Sequence, residues 1–200
     1  MDEMSLQQEH NHFYRWSPRG EPTKVRFKRD RGKKVYFFGG LSLKNKTQIT
    51  HLSKTKKSPD FIQFLENVKT KYQDEIKEKL PQHLINLKKE KEEWEIKSEE
   101  ERTKLKKQGK EFKYRGLILV VLDGDSTHRS KKTRAWLNNN YGIIELFRLP
   151  TYSPDLNPQE WVWKALRKFL AKVEGVYNFE ETINRACRYL LTEKFDYQFV

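Results

Sequence analysis

Runs of apolar residues rich in β-branched and aromatic side chains predict the strands of this chain. One strand covers residues 33–43 and a weaker one covers residues 47–52, and the short turn Lys44-Asn45-Lys46 between them predicts an antiparallel meander. Residues 116–122 (GLILVVL) are apolar along almost their whole length, so we expect this strand to be central and buried on both faces. Residues 143–149 predict a further strand.

Apolar residues that recur at three- and four-residue steps, next to capping residues, predict several helices. These helices start at Ser58-Pro59, cover residues 131–138 behind the cap Ser130, cover residues 158–173, and run from the cap Asn178 to about Leu191. The elements therefore follow one another as strands, helix, strand, helix, strand, helix, helix. This order predicts an α/β fold with an antiparallel meander on one side and parallel crossovers on the other.

The long segment of residues 69–113 interrupts this alternation. It is dense in charge but nearly neutral, because residues 88–113 contain 10 Lys or Arg and 8 Glu, with only a thin apolar stripe. We expect a solvated helical hairpin or long helix, with Pro81 and Gly109 as its breakpoints. An arm that contacts DNA or a partner subunit is the alternative.

The charge of the chain indicates a polyanionic partner. Its 200 residues carry a formal net charge of +13, and residues 1–60 alone hold 14 Lys or Arg against 6 Asp or Glu. Such a surplus suits a surface that faces phosphates, so nucleic acid is the simplest partner. With the single cysteine Cys187, we expect no disulfide framework and no cysteine metal site. The sequence shows neither a membrane-spanning run nor a signal-peptide pattern, and we expect a soluble cytoplasmic protein.

Residues 149–163 (LPTYSPDLNPQEWVW) predict a stiff loop that delivers a carboxylate to the first turn of a helix. Three prolines restrict its backbone, and Asn157 is a good N-cap with Pro158 at the first helical position. Glu160 therefore lies in the first helical turn. It either has a chemical role or simply complements the helix dipole.

A second acidic position follows the apolar strand of residues 116–122. The sequence DGDSTH that comes next places Asp123 at the carboxyl end of this strand, where the sites of open α/β sheets tend to lie. Asp123 or Asp125 can equally be an ordinary turn residue, since Asp and Gly are common turn formers.

The stretch of residues 152–163 closely resembles the third-carboxylate motif of DDE transposases, in the mariner-like group and its bacterial and archaeal insertion-sequence relatives. Leu122-Asp123, with His128 five residues after the acid, resembles the second motif of that family. The 36 residues between Asp123 and Glu160 are close to the usual interval in the family. Asp2-Glu3 resembles the first motif, in which an aspartate ends the first strand, and residues 15–22 (RWSPRGEP) match what usually follows it.

This resemblance implies a ribonuclease-H-like fold, a mixed sheet flanked by helices, over residues 1–200. It implies a catalytic and metal-binding triad of Asp2, Asp123 and Glu160 that holds two Mg²⁺ (or Mn²⁺) ions, because carboxylate oxygens suit hard divalent cations. The implied reaction is cleavage of DNA at the ends of an insertion sequence, followed by attack of the freed 3′-hydroxyl on target DNA. The implied partners are transposon-end and target DNA, bound by a homodimer in a prokaryotic cytoplasm, and no membrane.

Further residues acquire expected roles from the same resemblance. Asp125 is an alternate metal ligand. His128 orients a phosphate or the attacking water, or instead bonds the backbone where the next helix begins. Contacts with nucleic acid are expected of Lys131, Lys132, Arg134, Arg19 and Lys24, with the alternative that the three on the helix only form a solvated face.

The chain departs from the family pattern at three points. Gly124 stands where Asn usually follows the second Asp, and residues 69–113 look like an insertion between the first two acids. The first strand, expected ahead of Asp2, and the upstream helix-turn-helix DNA-binding region are missing. A missing central strand exposes backbone groups and apolar surface, so we expect the chain alone to be marginally stable and inactive. The alternative function is that of a truncated, catalytically inactive remnant that only binds DNA.

Overall fold

The computed structural model describes residues 1–7, 18–21, 33–112, 115–150, 153–171 and 178–196. The strands are β1 (Asp2–Gln7), β2 (Lys34–Leu41), β3 (Gln48–Ser53), β4 (Ile118–Leu122) and β5 (Ile144–Arg148). The helices are α1 (Ser58–Lys71), α2 (Gln73–Ile96), α3 (Glu99–Lys107), α4 (Lys131–Asn139), α5 (Pro158–Ala171) and α6 (Phe179–Thr192). Two short 3₁₀ turns cover Ser126–Arg129 and Pro154–Leu156. The mixed α/β composition expected from the sequence is confirmed.

The strands form two separate sheets. In the first, β2 lies in the middle and pairs antiparallel with β1 on one side and with β3 on the other, which confirms the predicted meander. In the second, β4 and β5 pair parallel, with Ile118 opposite Ile144 and Leu122 opposite Arg148. The parallel crossover predicted around α4 is therefore confirmed.

Strand β1 was not predicted from the sequence: it begins at Asp2, the residue at which the first strand of the family was expected to end. All six of its residues pair with β2, from Asp2 opposite Gly39 to Gln7 opposite Lys34. Burial alternates along it, with Met4 and Leu6 buried and Ser5 exposed. The sequence hid this strand because its polar residues outnumber its apolar ones, and the hydrogen bonds to β2 outweigh that weak propensity.

Strand β4 differs from the expectation of a central strand buried on both faces. Its partner on one side is β5, and on its other side no described strand pairs with it. Val120 and Leu122, which share one face of the strand, are buried, whereas Leu119 on the opposite face is 54% exposed. The apolar sequence predicted two covered faces, but the face that carries Leu119 is open and the strand lies at the edge of its sheet.

Two apolar clusters cover the two faces of the β1–β2–β3 sheet. On one face, residues of β1 and β2 pack against α5 and α6, with Met4, Phe37, Val162, Trp163 and Leu190 among the buried side chains. On the other face, residues of β2, α1 and the β4–β5 sheet form the second cluster, with Met1, Phe38, Phe61, Phe64 and Val120 among its members. Because side chains alternate along β1, its neighbouring residues reach different clusters.

The charged segment after α1 is helical, as predicted, and ends before Gly109, as expected, but it does not break at Pro81. Helix α2 runs through Pro81 without ending there, since the loss of one backbone N–H does not terminate a helix of 24 residues. The breaks fall at Tyr72 and at Lys97-Ser98, where Ser98 caps α3. Gly109 follows α3 with a φ of +70°, as expected of a helix-ending glycine.

Helix boundaries elsewhere follow the capping residues closely. Ser130 accepts a hydrogen bond from the Thr133 N–H, and Asn178 accepts one from the Glu181 N–H, so both predicted caps are confirmed. At α1 the cap is Lys57 rather than Ser58, because the Asp60 carboxylate accepts a hydrogen bond from the Lys57 N–H. Among the described residues, no helix is long and apolar enough to cross a membrane.

Gly39 illustrates how tightly β2 approaches α5. A Cβ placed at Gly39 would lie 2.4 Å from Cη2 of Trp163, a ring that is 1% exposed and has no room to move. We expect Gly39→Ala to destabilise the protein by about 1–3 kcal/mol through overpacking, measured as a lower Tm. The matched control is Gly124→Ala, because a Cβ at Gly124 meets no atom within 4 Å. Equal Tm values for the two variants would contradict this account.

Candidate functional site

Two adjacent carboxylates enter the site from β1 on opposite faces. Asp2 is 8% exposed and lies on the face that packs against α5 and α6. The Glu3 side chain is 1% exposed and lies on the other face, toward α1 and the turn after β4. The alternation of a β-strand is sufficient to separate the two groups in this way.

Asp123 enters from the carboxyl end of β4, as the sequence predicts. Its side chain is 47% exposed, which makes it far more accessible than the two acids of β1. Its Oδ1 accepts a hydrogen bond from the Asp125 N–H at 3.2 Å. Asp123 therefore also makes a hydrogen bond typical of an Asp in a turn, as expected if it is an ordinary turn residue.

Glu160 lies in the first turn of α5. Asn157 accepts a hydrogen bond from the Gln159 N–H at 3.2 Å, and the Glu160 N–H donates to the Asn157 carbonyl at 3.0 Å. Pro158 is the first residue of the helix, so the predicted start of α5 is confirmed. This cap fixes the first turn, and with it the point from which the partly buried Glu160 side chain extends.

The three predicted acids lie close enough to interact electrostatically. Burial first, and then the negative charges of Glu160, Glu3 and Asp123, together raise the pKa of Asp2 from 3.8 to about 7. Removing water from a carboxylate and surrounding it with like charges both disfavour its ionised form. The fold thus gathers Asp2, Asp123 and Glu160 from three different elements, and their role as metal ligands stays a prediction.

His128 is placed differently from the expectation that it contacts DNA. Its side chain is fully buried, with Nε2 2.8 Å from Oε1 of Glu3 and the ring centroid 4.4 Å from that of Phe61. Its Nδ1 lies 3.3 Å from Oδ1 of Asp123 but is not aligned for a hydrogen bond. The ring therefore bonds the Glu3 carboxylate and lies against Asp123, and a role toward a phosphate or the attacking water stays a prediction.

Glu3, Asp123 and His128 form a second group that is able to hold a cation. One potential ligand atom from each of them lies within 4.8 Å of the others. Asp123 is shared between this group and the predicted triad. No role for Glu3 follows from the sequence motifs; the available signal was its position beside Asp2 on a strand, which places its side chain on the opposite face.

Asp125 was expected as an alternate metal ligand, and the structure shows its oxygens already engaged. Oδ1 accepts hydrogen bonds from the N–H and the hydroxyl of Thr127, and Oδ2 lies 2.9 Å from Nζ of Lys56. Partial burial acts against ionisation, but these contacts hold the pKa of Asp125 well below its usual range. Lys56 also lies 3.6 Å from Glu3. Nothing in the sequence singled out this lysine.

The basic residues expected at a DNA interface are exposed where the structure describes them. Lys131, Lys132 and Arg134 project into solvent from the first turn and a half of α4, directly after the 3₁₀ turn that carries His128. Arg19 is exposed in the short segment 18–21, and Lys24 lies outside the described residues. The structure therefore places a basic helix face next to the acidic cluster.

A family model described as DDE superfamily endonuclease matches residues 1–183 of this chain. The chain belongs to the DDE superfamily of endonucleases. This membership confirms the family inferred from the three acidic motifs.

Solved structures with the same fold are complexes of the Mos1 transposase. A pre-cleavage Mos1 transpososome matches with a TM-score of 0.59 at 16% identity, over 96% of this chain and 48% of that one. A Mos1 transposase paired-end complex with the left transposon end gives 0.57 at 15% identity, over 96% and 47%. A Mos1 mariner paired-end complex with Mn gives 0.53 at 16% identity, over 94% and 46%.

These likenesses confirm the ribonuclease-H-like fold expected for this DDE domain. The chain spans about half the length of the Mos1 chains that it matches. A search of curated proteins found no match.

Crowding of acids at the site predicts a stability that depends on pH. The folded-state pKa of Asp2, about 7, exceeds its unfolded value of 3.8, so ionisation costs stability as pH rises from about 4 to 7. Without divalent metal, we expect Asp2→Asn to raise Tm at pH 8 by several degrees, a gain on the order of 2–4 kcal/mol, and to change it little at pH 4.

The matched control is Glu90→Gln, which replaces an exposed acid of α2 with its amide and should leave Tm unchanged at both pH values. The same Tm for Asp2→Asn and the wild type across this pH range would contradict the repulsion described for the site.

Proposed function

We propose that this chain forms the catalytic domain of a DDE transposase, which cuts DNA and joins the freed strand end to a target in a metal-dependent reaction. The observation that carries this proposal is that the carboxyl group of Asp2, on β1, interacts with the charges of Asp123, at the end of β4, and Glu160, in the first turn of α5. The family model supports the class of chemistry. The Mos1 structures support the fold of this domain, and the cleavage and joining of DNA strands is our proposal.

The donor set of the cluster fits Mg²⁺ or Mn²⁺. All three predicted ligands are carboxylates, the ligand type that hard cations prefer, and Asp123 is accessible from solvent. Their mutual repulsion, expressed in the raised pKa of Asp2, is relieved by a divalent cation. A pair of such ions, held by Asp2, Asp123 and Glu160, would stabilise the charge of a phosphodiester under in-line attack and help to generate the nucleophile.

The residues around the cluster hold it in place. His128 bonds Glu3 through Nε2 and lies against Asp123 through Nδ1, so it links β1 to the turn after β4. Lys56 lies between Glu3 and Asp125 and neutralises part of their charge. We propose that these groups orient Asp123. Asp125 would help to hold the same turn in place through its hydrogen bonds with Thr127 and its ion pair with Lys56.

DNA is the proposed partner. The net charge of +13 and the exposed basic face of α4 beside the acids provide the electrostatic attraction that a phosphate backbone requires. The Mos1 structures with the same fold are described as a paired-end complex with the left transposon end and as a pre-cleavage transpososome. We further propose that the chain acts as a homodimer in a prokaryotic cytoplasm on the ends of an insertion sequence, with residues 69–113 as an inserted helical arm.

Nicking of supercoiled DNA in the presence of Mg²⁺ or Mn²⁺ tests the catalytic proposal. We expect Asp123→Ala and Glu160→Ala to reduce the nicking rate by about 100-fold or more, because loss of even an outer partner of a metal ligand costs about 10–100-fold. Glu90→Ala is the matched control, since it removes an exposed acid far along α2.

Three outcomes are informative. Nicking that requires both acids and the divalent metal supports the triad. Nicking that persists in both variants contradicts it. A folded protein that binds DNA but nicks none supports the alternative function, a catalytically inactive remnant that only binds DNA.

The salt dependence of DNA binding tests the basic face of α4. Each phosphate contact contributes about 0.9 to the slope of log K against log salt for duplex DNA. We therefore expect the triple variant Lys131→Ala, Lys132→Ala, Arg134→Ala to lower this slope by about 2–3. The control Lys104→Ala, Lys106→Ala, Lys107→Ala removes the same charge from the exposed α3. A slope for the α4 triple variant equal to that of the wild type would contradict a DNA contact at α4.

A further inference from the structure

The loop that joins β3 to α1 lies beside the acidic site. Lys56 of this loop points toward the site, with its Nζ 2.9 Å from Oδ2 of Asp125 and 3.6 Å from Oε2 of Glu3. Lys54 and Lys57 of the same loop are exposed to solvent. The contacts of Lys56 therefore hold the loop at the site, while the other two lysines remain available to a partner.

Hydrogen bonds to the Asp60 carboxylate hold this loop together. Its Oδ1 accepts a bond from the Ser53 hydroxyl at 2.6 Å, and its Oδ2 accepts bonds from the Lys57 N–H at 3.0 Å and from the Thr55 hydroxyl. The Thr55 N–H donates in turn to Oγ of Ser53 at 3.2 Å. The loop is thus ordered without a partner, so binding through its lysines costs little additional loop entropy.

The first turns of α1 and α4 meet at the turn that follows β4. The Thr127 carbonyl of this turn accepts a hydrogen bond from Oγ1 of Thr133 at 2.9 Å and lies 3.5 Å from Oγ of Ser58. The ring centroid of His128 lies 4.4 Å from that of Phe61, in the first turn of α1. Because both helices begin at this turn, the loop ahead of α1 lies beside the basic start of α4.

Positive charge dominates the surface around this junction of α1 and α4. Residues 54–60 and 125–134 together contain seven Lys or Arg and two Asp. One of these acids, Asp125, is already paired with Lys56. The other six cations are exposed: Lys54, Lys57, Arg129, Lys131, Lys132 and Arg134. The N-terminal ends of the two helices add to the positive potential, so the junction attracts anions.

The side chains of the loop suit phosphate groups rather than bases. A lysine ammonium is a compact charge on a flexible stem, and contacts of this kind with phosphates carry no sequence information. Residues 54–57 (KTKK) include no Asn or Gln, which pair with adenine, and no aromatic ring on which a base could stack. The chemistry of the loop therefore favours a nucleic-acid backbone of any sequence.

We infer that Lys54 and Lys57 bind the phosphate backbone of DNA independently of its base sequence, and that this backbone lies across the junction of α1 and α4. This inference rests on the DNA partner proposed above. It adds the loop before α1 to the basic face of α4 as a second contact element. DNA held by both elements would lie next to the turn that carries Asp123, where cleavage is proposed.

Binding to duplexes of several unrelated sequences, without divalent metal, tests this inference. Fluorescence anisotropy gives Kd over a series of salt concentrations for the wild type and for the double variant Lys54→Gln, Lys57→Gln. We expect this variant to lower the slope of log K against log salt by about 1–2 on every sequence, because each phosphate contact contributes about 0.9. Its Tm should equal that of the wild type, since both side chains are exposed. The control Lys104→Gln, Lys107→Gln removes the same charge from the exposed α3 and should keep the wild-type slope.

Photocrosslinking separates a local contact from long-range attraction. Cys187 is the single cysteine of the chain, so in a Cys187→Ala background a thiol-reactive photocrosslinker can be attached at one chosen position. We expect Lys57→Cys labelled in this way to crosslink to the bound duplex. Lys88→Cys, at an exposed position of α2, is the matched control and should give a lower yield.

Each contrary result has a distinct meaning. If the wild type binds DNA, a wild-type slope in Lys54→Gln, Lys57→Gln, or a crosslinking yield at position 57 no higher than at position 88, would overturn this inference alone. A loss of slope on only one of the sequences would overturn a contact that ignores base sequence. A wild type that binds no duplex would overturn the proposed DNA partner together with this inference. Because no divalent metal is present, these results do not depend on the nicking test.

Discussion

The antiparallel pairing of β1 with β2 is the constraint on which the rest of the molecule depends. It divides the apolar interior, because Met4 and Leu6 face α5 and α6 while Met1 faces α1 and the second sheet. The same alternation sends Asp2 toward α5 and Glu3 toward His128. The register of this pairing thus sets both the core and the acidic site, and a slip of one residue would exchange the two carboxylates between faces.

The acidic cluster costs the fold stability in the absence of metal. Asp2 is buried beside three other carboxylates, which is why its pKa rises to about 7. The buried contact between His128 and Glu3 and the ion pairs of Lys56 offset part of this repulsion. A site that is unfavourable when empty and favourable with a divalent cation is well suited to metal-dependent chemistry, which agrees with the family to which the chain belongs.

Local signals in the sequence were sufficient for the features that depend on neighbours along the chain. The cap at Asn157 places Glu160, and the apolar run before Asp123 places that acid at a strand end, so both could be predicted. Features that depend on partners far away in the chain could not be predicted from the sequence. Strand β1 has little intrinsic β-propensity, the His128–Glu3 contact spans 125 positions, and Lys56 meets Asp125 only because α1 packs beside the turn after β4.

The open edge of β4 links the architecture to the site. Asp123 follows directly from a strand that has one partner strand among the described residues, and the Met1 ammonium donates a hydrogen bond to the Val121 carbonyl at its other edge. The turn after β4 also carries His128, whose ring is the other connection between β4 and β1. Any motion of β4 away from β1 therefore separates Asp123 from Asp2.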